Sequence, residues 1–242
     1  MKRLLLTLLA MPTLAFAQAD RKFVRFIPLG ELPVWDEELV DGIRVQKPIQ
    51  AGDMPPSTIS APAGDDNIQQ QDISLGRASS KMTFGPNVGT LTLFEGKNGA
   101  GKQFLTSPMP TATHSLGVLF RDNANMTWLQ PKMLMLKDDK DTFPANHVRF
   151  VNVSDLRALV KIGGKAAEVI KPGDSLLKPI KPGENPIVVG YYNKEGVIQM
   201  IFQNSIRLIE GQRVQGFLYK GQGKEPRSEV KFISFPEPLP RP

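Results

Sequence analysis

The chain contains no cysteine. That excludes disulfide cross-links, thiolate metal sites, a cysteine nucleophile and a lipid anchor on an N-terminal cysteine. Histidine is almost as scarce, with only His114 and His147. Neither has a histidine or carboxylate at zinc-ligand spacing, and both read as strand-end residues. Ser115 beside His114 makes no catalytic pair, because adjacent strand residues face opposite sides, and no G-x-S-x-G elbow occurs. Two Trp and three Tyr are few for a sugar-stacking face. No stretch keeps an apolar stripe at helical spacing.

What is present begins with the head, MKRLLLTLLAMPTLAFAQAD. Lys2 and Arg3 give a positive start, Leu4 to Leu14 an apolar stretch too short to span a bilayer, and Ala15-Phe16-Ala17 a small-x-small cleavage pattern. Residues 1–17 read as a secretory signal peptide, cleaved after Ala17. No later apolar run reaches membrane-spanning length, so no transmembrane segment is expected in the mature chain. A cysteine-free exported chain points to the periplasm or exterior of a bacterium.

The 242 residues carry a formal charge of +6, and losing Lys2 and Arg3 leaves a mature charge near +4. Basic residues are scattered among acids. The densest run, Lys161, Lys165, Lys171, Lys178 and Lys181, has no interleaved aromatics, as a nucleic-acid groove needs, and reads as a solvated strand edge. No nucleic acid is expected as a partner.

GKNGAGK (96–102) matches most of a phosphate-binding P-loop. The motif needs a helix after it, and Gln103-Phe104-Leu105-Thr106-Ser107-Pro108 is too short and too Pro-rich for one. Gln103 stands where the Mg²⁺-binding hydroxyl belongs. The stretch is expected to connect two strands, with Asn98-Gly99 and Gly101 allowing positive φ, and no nucleotide is expected. KDDKD (137–141) lacks the grammar of a Ca²⁺ loop and reads as a solvated turn. No cofactor or metal is expected.

Gly and Pro number 21 each, as many short strands joined by turns require. Strands are expected around 23–27, 89–96, 115–122, 128–139 and 146–155, then a hairpin at Gly163-Gly164, Pro-Gly turns at 171–174 and 181–184, and three more strands over 186–221. VWDEELVDG (34–42) reads as a short helical turn, SAPAGDDNIQQQ (60–71) as a loop, and FPEPLPRP (235–242) as an extended, solvated tail. The expected fold is all-β: one antiparallel, immunoglobulin-like β-sandwich, with a barrel as the alternative. Its domain plan is an N-terminal strand and irregular arm over 18–56, the sandwich over 57–221, and a final strand with a Pro-rich tail over 222–242.

One block carries a family likeness. DTFPANHVRFVNVSDLRALVKIGGKAAEVIKPGD (141–174), through Phe143, Pro144, Val148, Arg149, Asn152, Ser154, Pro172 and Gly173, resembles a block in uncharacterised exported β-sandwich proteins of bacteria of the Verrucomicrobia type. It is also distantly similar to a domain of unknown function, the DUF4397 type. The resemblance implies a single sandwich and no particular activity. Within the block, Asn152 and Ser154 end a strand, where their side chains can bond the local backbone.

These observations point to a non-enzymatic binding or structural module of the cell envelope, whose partner is an envelope protein or a glycan. The alternatives are a carbohydrate-binding protein and a glycan-directed hydrolase with dispersed carboxylates. Trp128, Tyr191 and Tyr192 are the candidate ligand-stacking aromatics, with a core role as the favoured use. Tyr191 and Tyr192 must face opposite sides of one strand.

Overall fold

The computed structural model describes residues 21–33, 37–64, 67–222 and 227–239, which hold eighteen strands and no helix. The expected signal peptide lies outside them. The first ten strands are β1 (Lys22–Leu29), β2 (Glu37–Val40), β3 (Ile43–Gln46), β4 (Thr58–Pro62), β5 (Ile68–Asp72), β6 (Met82–Phe84), β7 (Thr90–Glu95), β8 (Gln103–Pro108), β9 (His114–Phe120) and β10 (Lys132–Lys137). After a short link come β11 (His147–Asn152), β12 (Ala158–Ile162), β13 (Glu168–Ile170), β14 (Ser175–Pro179), β15 (Gly183–Tyr192), β16 (Ile198–Leu208), β17 (Gln212–Lys220) and β18 (Val230–Pro238).

The strands form four four-stranded sheets and one separate hairpin, β2-β3. The sheet orders of the first half, β10-β9-β1-β6 and β5-β4-β7-β8, recur in the second as β18-β17-β11-β14 and β13-β12-β15-β16. With β2-β3 set aside as an insertion, the eight strands of one half match those of the other in order. Pairing sense repeats too: β1 lies parallel to β9 and β11 parallel to β17, while neighbours elsewhere are antiparallel.

Each half has its own core. Val24, Phe26, Ile59, Leu91, Leu93 and Trp128 are buried in the first, and Val148, Phe150, Val160, Ile187, Val189 and Tyr191 in the second. A third apolar layer joins the halves, with Ile27, Leu29, Leu116 and Val118 meeting Val151, Val153 and Phe217. The sheets containing β1 and β11 are therefore covered on both faces. This explains why every residue from Val148 to Asn152 is buried, where simple alternation would leave one face wet.

The all-β expectation holds, but one immunoglobulin-like sandwich does not describe this arrangement. Roughly 115 residues in the first half and roughly 90 in the second suffice for separate cores, and a strand buried on both faces then fuses the two. The expected boundary at 57 falls inside the first half, because β1, placed in the arm, is an inner strand of its sheet.

Three local expectations need correction. Residues 37–46 form the β2-β3 hairpin rather than a helical turn, because Asp41 (φ 52°) and Gly42 (φ 79°) adopt the two positive φ angles of a tight hairpin turn; residues 34–36 lie outside the described residues. The stretch 60–71 is largely β4 and β5, paired antiparallel, with polar β5 on the sheet edge, where polar side chains can face water. The C-terminal stretch is not a free tail up to Pro238. It is edge strand β18, where proline is tolerated because its missing N–H can face the open side.

GKNGAGK does join β7 to β8. Asn98 (φ 60°) and Gly99 (φ 65°) take positive φ. Gly101 does not, but a Cβ there would stand 1.7 Å from the Glu95 carbonyl oxygen. Gly163 (φ 57°) and Gly173 (φ 83°) turn the chain where the Gly and Pro-Gly signals placed turns. Asn152 Nδ2 donates to the Leu156 and Ile170 carbonyls at 2.8 and 3.0 Å, and Ser154 Oγ donates to Asn152 Oδ1 at 2.7 Å, the strand-end role read from the sequence.

Candidate functional site

The two halves carry the same short sequence on their first strands, Val24-Arg25-Phe26 and Val148-Arg149-Phe150. Strand alternation sends the two phenylalanines into their own cores and the arginines to the opposite face. Each Phe packs over a glycine on the parallel neighbour. A Cβ at Gly117 would lie 2.8 Å from the Phe26 ring, and one at Gly216 2.9 Å from that of Phe150. Those glycines open matching runs, Gly117-Val118-Leu119-Phe120 and Gly216-Phe217-Leu218-Tyr219. Through the registers, His114 corresponds to Arg213 and Phe23 to His147. Asp138, following β10, corresponds to Glu237 on β18.

These equivalent positions meet where the halves touch. Arg25 of the first half reaches Glu237 of the second at 2.9 Å, and Arg149 of the second reaches Asp138 of the first at 2.9 Å. This reciprocity is that of a two-fold symmetric dimer interface. Asp138 also binds Arg25 at 2.6 Å and Arg213 at 2.8 Å, and Arg213 binds Glu237 at 3.0 Å. Gln215 links Arg149 Nε to Glu237, each at 3.2 Å. Backbone carbonyls complete the set: Lys137 O accepts from Arg149, and Asp138 O and Phe143 O accept from Arg213.

Three guanidiniums thus face two carboxylates, a formal excess of one positive charge. Burial pulls the Arg149 pKa down to about 10; Asp138 opposes that fall and the neighbouring Arg213 adds to it. Burial also pulls Arg25 down, but Glu237 and Asp138 together outweigh it, and its pKa is raised. Arg25 and Arg149 both remain cations at neutral pH. The Phe143 ring lies against two of the three guanidiniums, 4.2 Å from Arg149 Cζ and 4.4 Å from Arg213 Cζ.

Beside Arg25 opens a cavity of about 370 Å³, bounded by Phe23, Lys81, His114 and the Pro238-Leu239 segment. The His114 ring stacks on Phe23 at 5.1 Å, and Lys81 Nζ sits 4.5 Å from the Phe23 centroid. The His114 amide donates to Asp139 Oδ1 at 2.7 Å. Its Nε2 is buried without a hydrogen-bond partner. A second cleft that also borders His114 is lined by Thr111, Lys137, Asp139 and Lys140.

The aromatics singled out from the sequence do not assemble here or with one another. Trp128 is buried in the first core and Tyr191 in the second. Tyr192, on the opposite side of β15 from Tyr191, is half-buried with the Arg157 guanidinium 4.8 Å from its ring centroid. No shared stacking platform exists between Trp128 and either tyrosine, and Trp128 and Tyr191 take the core role. Asp138, expected in a solvated turn, is instead the buried centre of the ion-pair cluster, because three arginines converge on it. Among the described residues no group of three or more His, Asp or Glu is placed to hold a metal, and no helix is long and apolar enough to cross a membrane.

No family model and no curated protein matches the chain. Among solved structures, a putative cell adhesion protein from Bacteroides eggerthii DSM 20697 is similar over 91% of this chain and 97% of that one, at 9% identity and a TM-score of 0.26.

Proposed function

We propose that this chain is an exported, non-enzymatic binding or structural module of the bacterial cell envelope. The observation that carries the reading is the fusion of two matched sandwiches through a shared apolar layer and reciprocal buried ion pairs. Such a joint fixes the outer surfaces of both halves relative to each other, which suits a scaffold or presenting module. Asp138 and Glu237, the buried carboxylates at the joint, are each bound by two or more guanidiniums, which supports a structural role over acid–base work. The export part of the proposal rests on Lys2, Arg3, the Leu-rich stretch and Ala15–Ala17. The resemblance of the 141–174 block to exported bacterial β-sandwich proteins supports the same compartment.

Mass spectrometry of the native protein tests the export reading. An N-terminus at Gln18 or close to it, in an envelope or secreted fraction, is expected; intact Met1 in the cytoplasm refutes it. Cross-linking of the mature protein in intact cells tests the binding role. Specific capture of an envelope protein or glycan is expected, and a protein that cross-links to nothing above background would not be a binding module.

A further inference from the structure

The cavity beside Arg25 is the counterpart, in the first half, of the space that Phe143 fills in the second. Arg25 stands for Arg149, and His114 for Arg213. Phe23 stands for His147, and Pro238-Leu239 for Asp139-Lys140. In the second half the link after β10 turns back, and Phe143 lays its ring against Arg149 and Arg213. In the first half the corresponding segment follows β18, where Pro238 and Leu239 border the cavity.

We propose that this cavity is a binding site for an aromatic side chain, phenylalanine or tyrosine, presented by a peptide segment of a partner protein. The Arg25 guanidinium supplies the cationic face that Arg149 offers to Phe143. A half-buried guanidinium over a ring makes a cation–π contact. Phe23, stacked on His114, provides a second ring for edge or offset contact. Pro238 and Leu239 supply an apolar wall. A volume of about 370 Å³ holds one aromatic side chain and part of its backbone. The buried His114 Nε2, which has no hydrogen-bond partner, favours a peptide over a bare hydrocarbon, because a peptide can pair with it. The site is independent of where the protein resides, so it can stand or fall apart from the envelope reading.

The test is a titration of the isotope-labelled mature protein, followed by NMR, with acetyl-Thr-Phe-Pro-Ala-amide, which copies the environment of Phe143. Acetyl-Thr-Ala-Pro-Ala-amide and phenylalanine amide serve as comparisons. Saturable shifts centred on Phe23, Lys81 and His114 are expected, with the Phe peptide binding at least about tenfold more tightly than the Ala peptide. Equal binding of the two peptides, or shifts centred elsewhere, overturns the site. Binding of phenylalanine amide as tight as that of the Phe peptide overturns the peptide assignment in favour of a small aromatic ligand. Arg25→Gln should weaken the Phe peptide at least about fivefold. Because Arg25 also joins the buried cluster, Phe23→Leu and His114→Ala are measured alongside it. Unchanged affinity in both of these, with the fold intact, also overturns the proposal.

Discussion

The two halves share strand order, pairing sense and the arginine–phenylalanine pair of their first strands, yet they contribute unequally to the joint. The second half brings Arg149, Arg213 and Gln215, where the first has Arg25, His114 and Leu116. Asp138 takes three guanidiniums, and its counterpart Glu237 takes two. The second half keeps its cationic slot filled with Phe143; the first keeps an open cavity. Only the first carries the inserted β2-β3 hairpin, whose Leu39 and Ile43 are about 70% exposed. The backbone plan and the apolar layer are therefore common property, whereas polar residues at matched positions have diverged. Stability should follow what is matched, and binding what is not.

The largest effect should come from the least symmetric element. Asp138→Ala leaves the buried guanidiniums of Arg149 and Arg213 and the half-buried one of Arg25 with one carboxylate, and loss of a partner from a buried ion-pair cluster costs about 3–5 kcal/mol. Glu237→Ala removes the less engaged acid and should cost less. Urea denaturation of the two variants orders them. Equal midpoints would mean that the cluster is as symmetric as the backbone.

Where the halves match, the costs should match. Phe26 and Phe150 are both fully buried over a glycine, so Phe26→Ala and Phe150→Ala should each cost about 3–5 kcal/mol through the cavity they leave. Lys165→Ala, exposed at the β12–β13 turn, should cost under about 0.5 kcal/mol. If the two Phe variants differ by more than the Asp138–Glu237 pair, the cores rather than the joint hold the asymmetry. A finer probe uses the glycines beneath the rings. Gly117→Ala and Gly216→Ala push a methyl into Phe26 and Phe150 and should each destabilise by about 1–3 kcal/mol. A neutral result at either would show that its ring can move aside.

Much of the fold is legible in the sequence, and the reason lies in turn chemistry and period-two alternation. Gly163, Gly173 and Asn98-Gly99 stand at real turns because few residues tolerate positive φ. Phe150 and Val148 alternate with Arg149, and both lie in the second core. The joint was harder to see. Alternation cannot say that the opposite face of β11 is also covered, because the sheet of β1 that covers it lies far away in the sequence. The DDKD run looks like any solvated turn until Arg25, Arg149 and Arg213 arrive from strands up to 113 positions away. One signal was available: Val-Arg-Phe at 24–26 and 148–150, with Gly-x-Leu-aromatic at 117–120 and 216–219, is an internal repeat. It places both arginines on equivalent faces and announces two units rather than one. For Trp128 and Tyr191 the sequence favours the core, because two Trp and three Tyr are few for a sugar-stacking face, and both lie in the cores.

The smallest effect isolates a single matched pair, Phe120 and Tyr219. Both pack against the joint, but only Tyr219 carries a hydroxyl. Burial, helped by the charge of Glu31, pushes that hydroxyl up from 10.0 to about 12. The folded state therefore favours the neutral phenol. Between pH 10 and 12 the native protein holds a proton that the unfolded chain has released, so stability falls as pH rises through this window. The contribution is complete below pH 10. Arg149 works in the opposite sense: its pKa lies near 10 when folded, so the native state sheds its proton first and stability rises with pH over a similar range. The two opposing trends blur the alkaline profile of the wild-type protein. Tyr219→Phe makes the second half resemble the first and removes only the falling component, since Arg149 is common to both proteins. The difference in stability between wild type and Tyr219→Phe should be flat up to about pH 9.5 and then move in favour of the variant toward pH 11.5. A difference that stays flat across that range would mean that the Tyr219 hydroxyl is solvated like that of any surface tyrosine, and that the joint is open to water at this end.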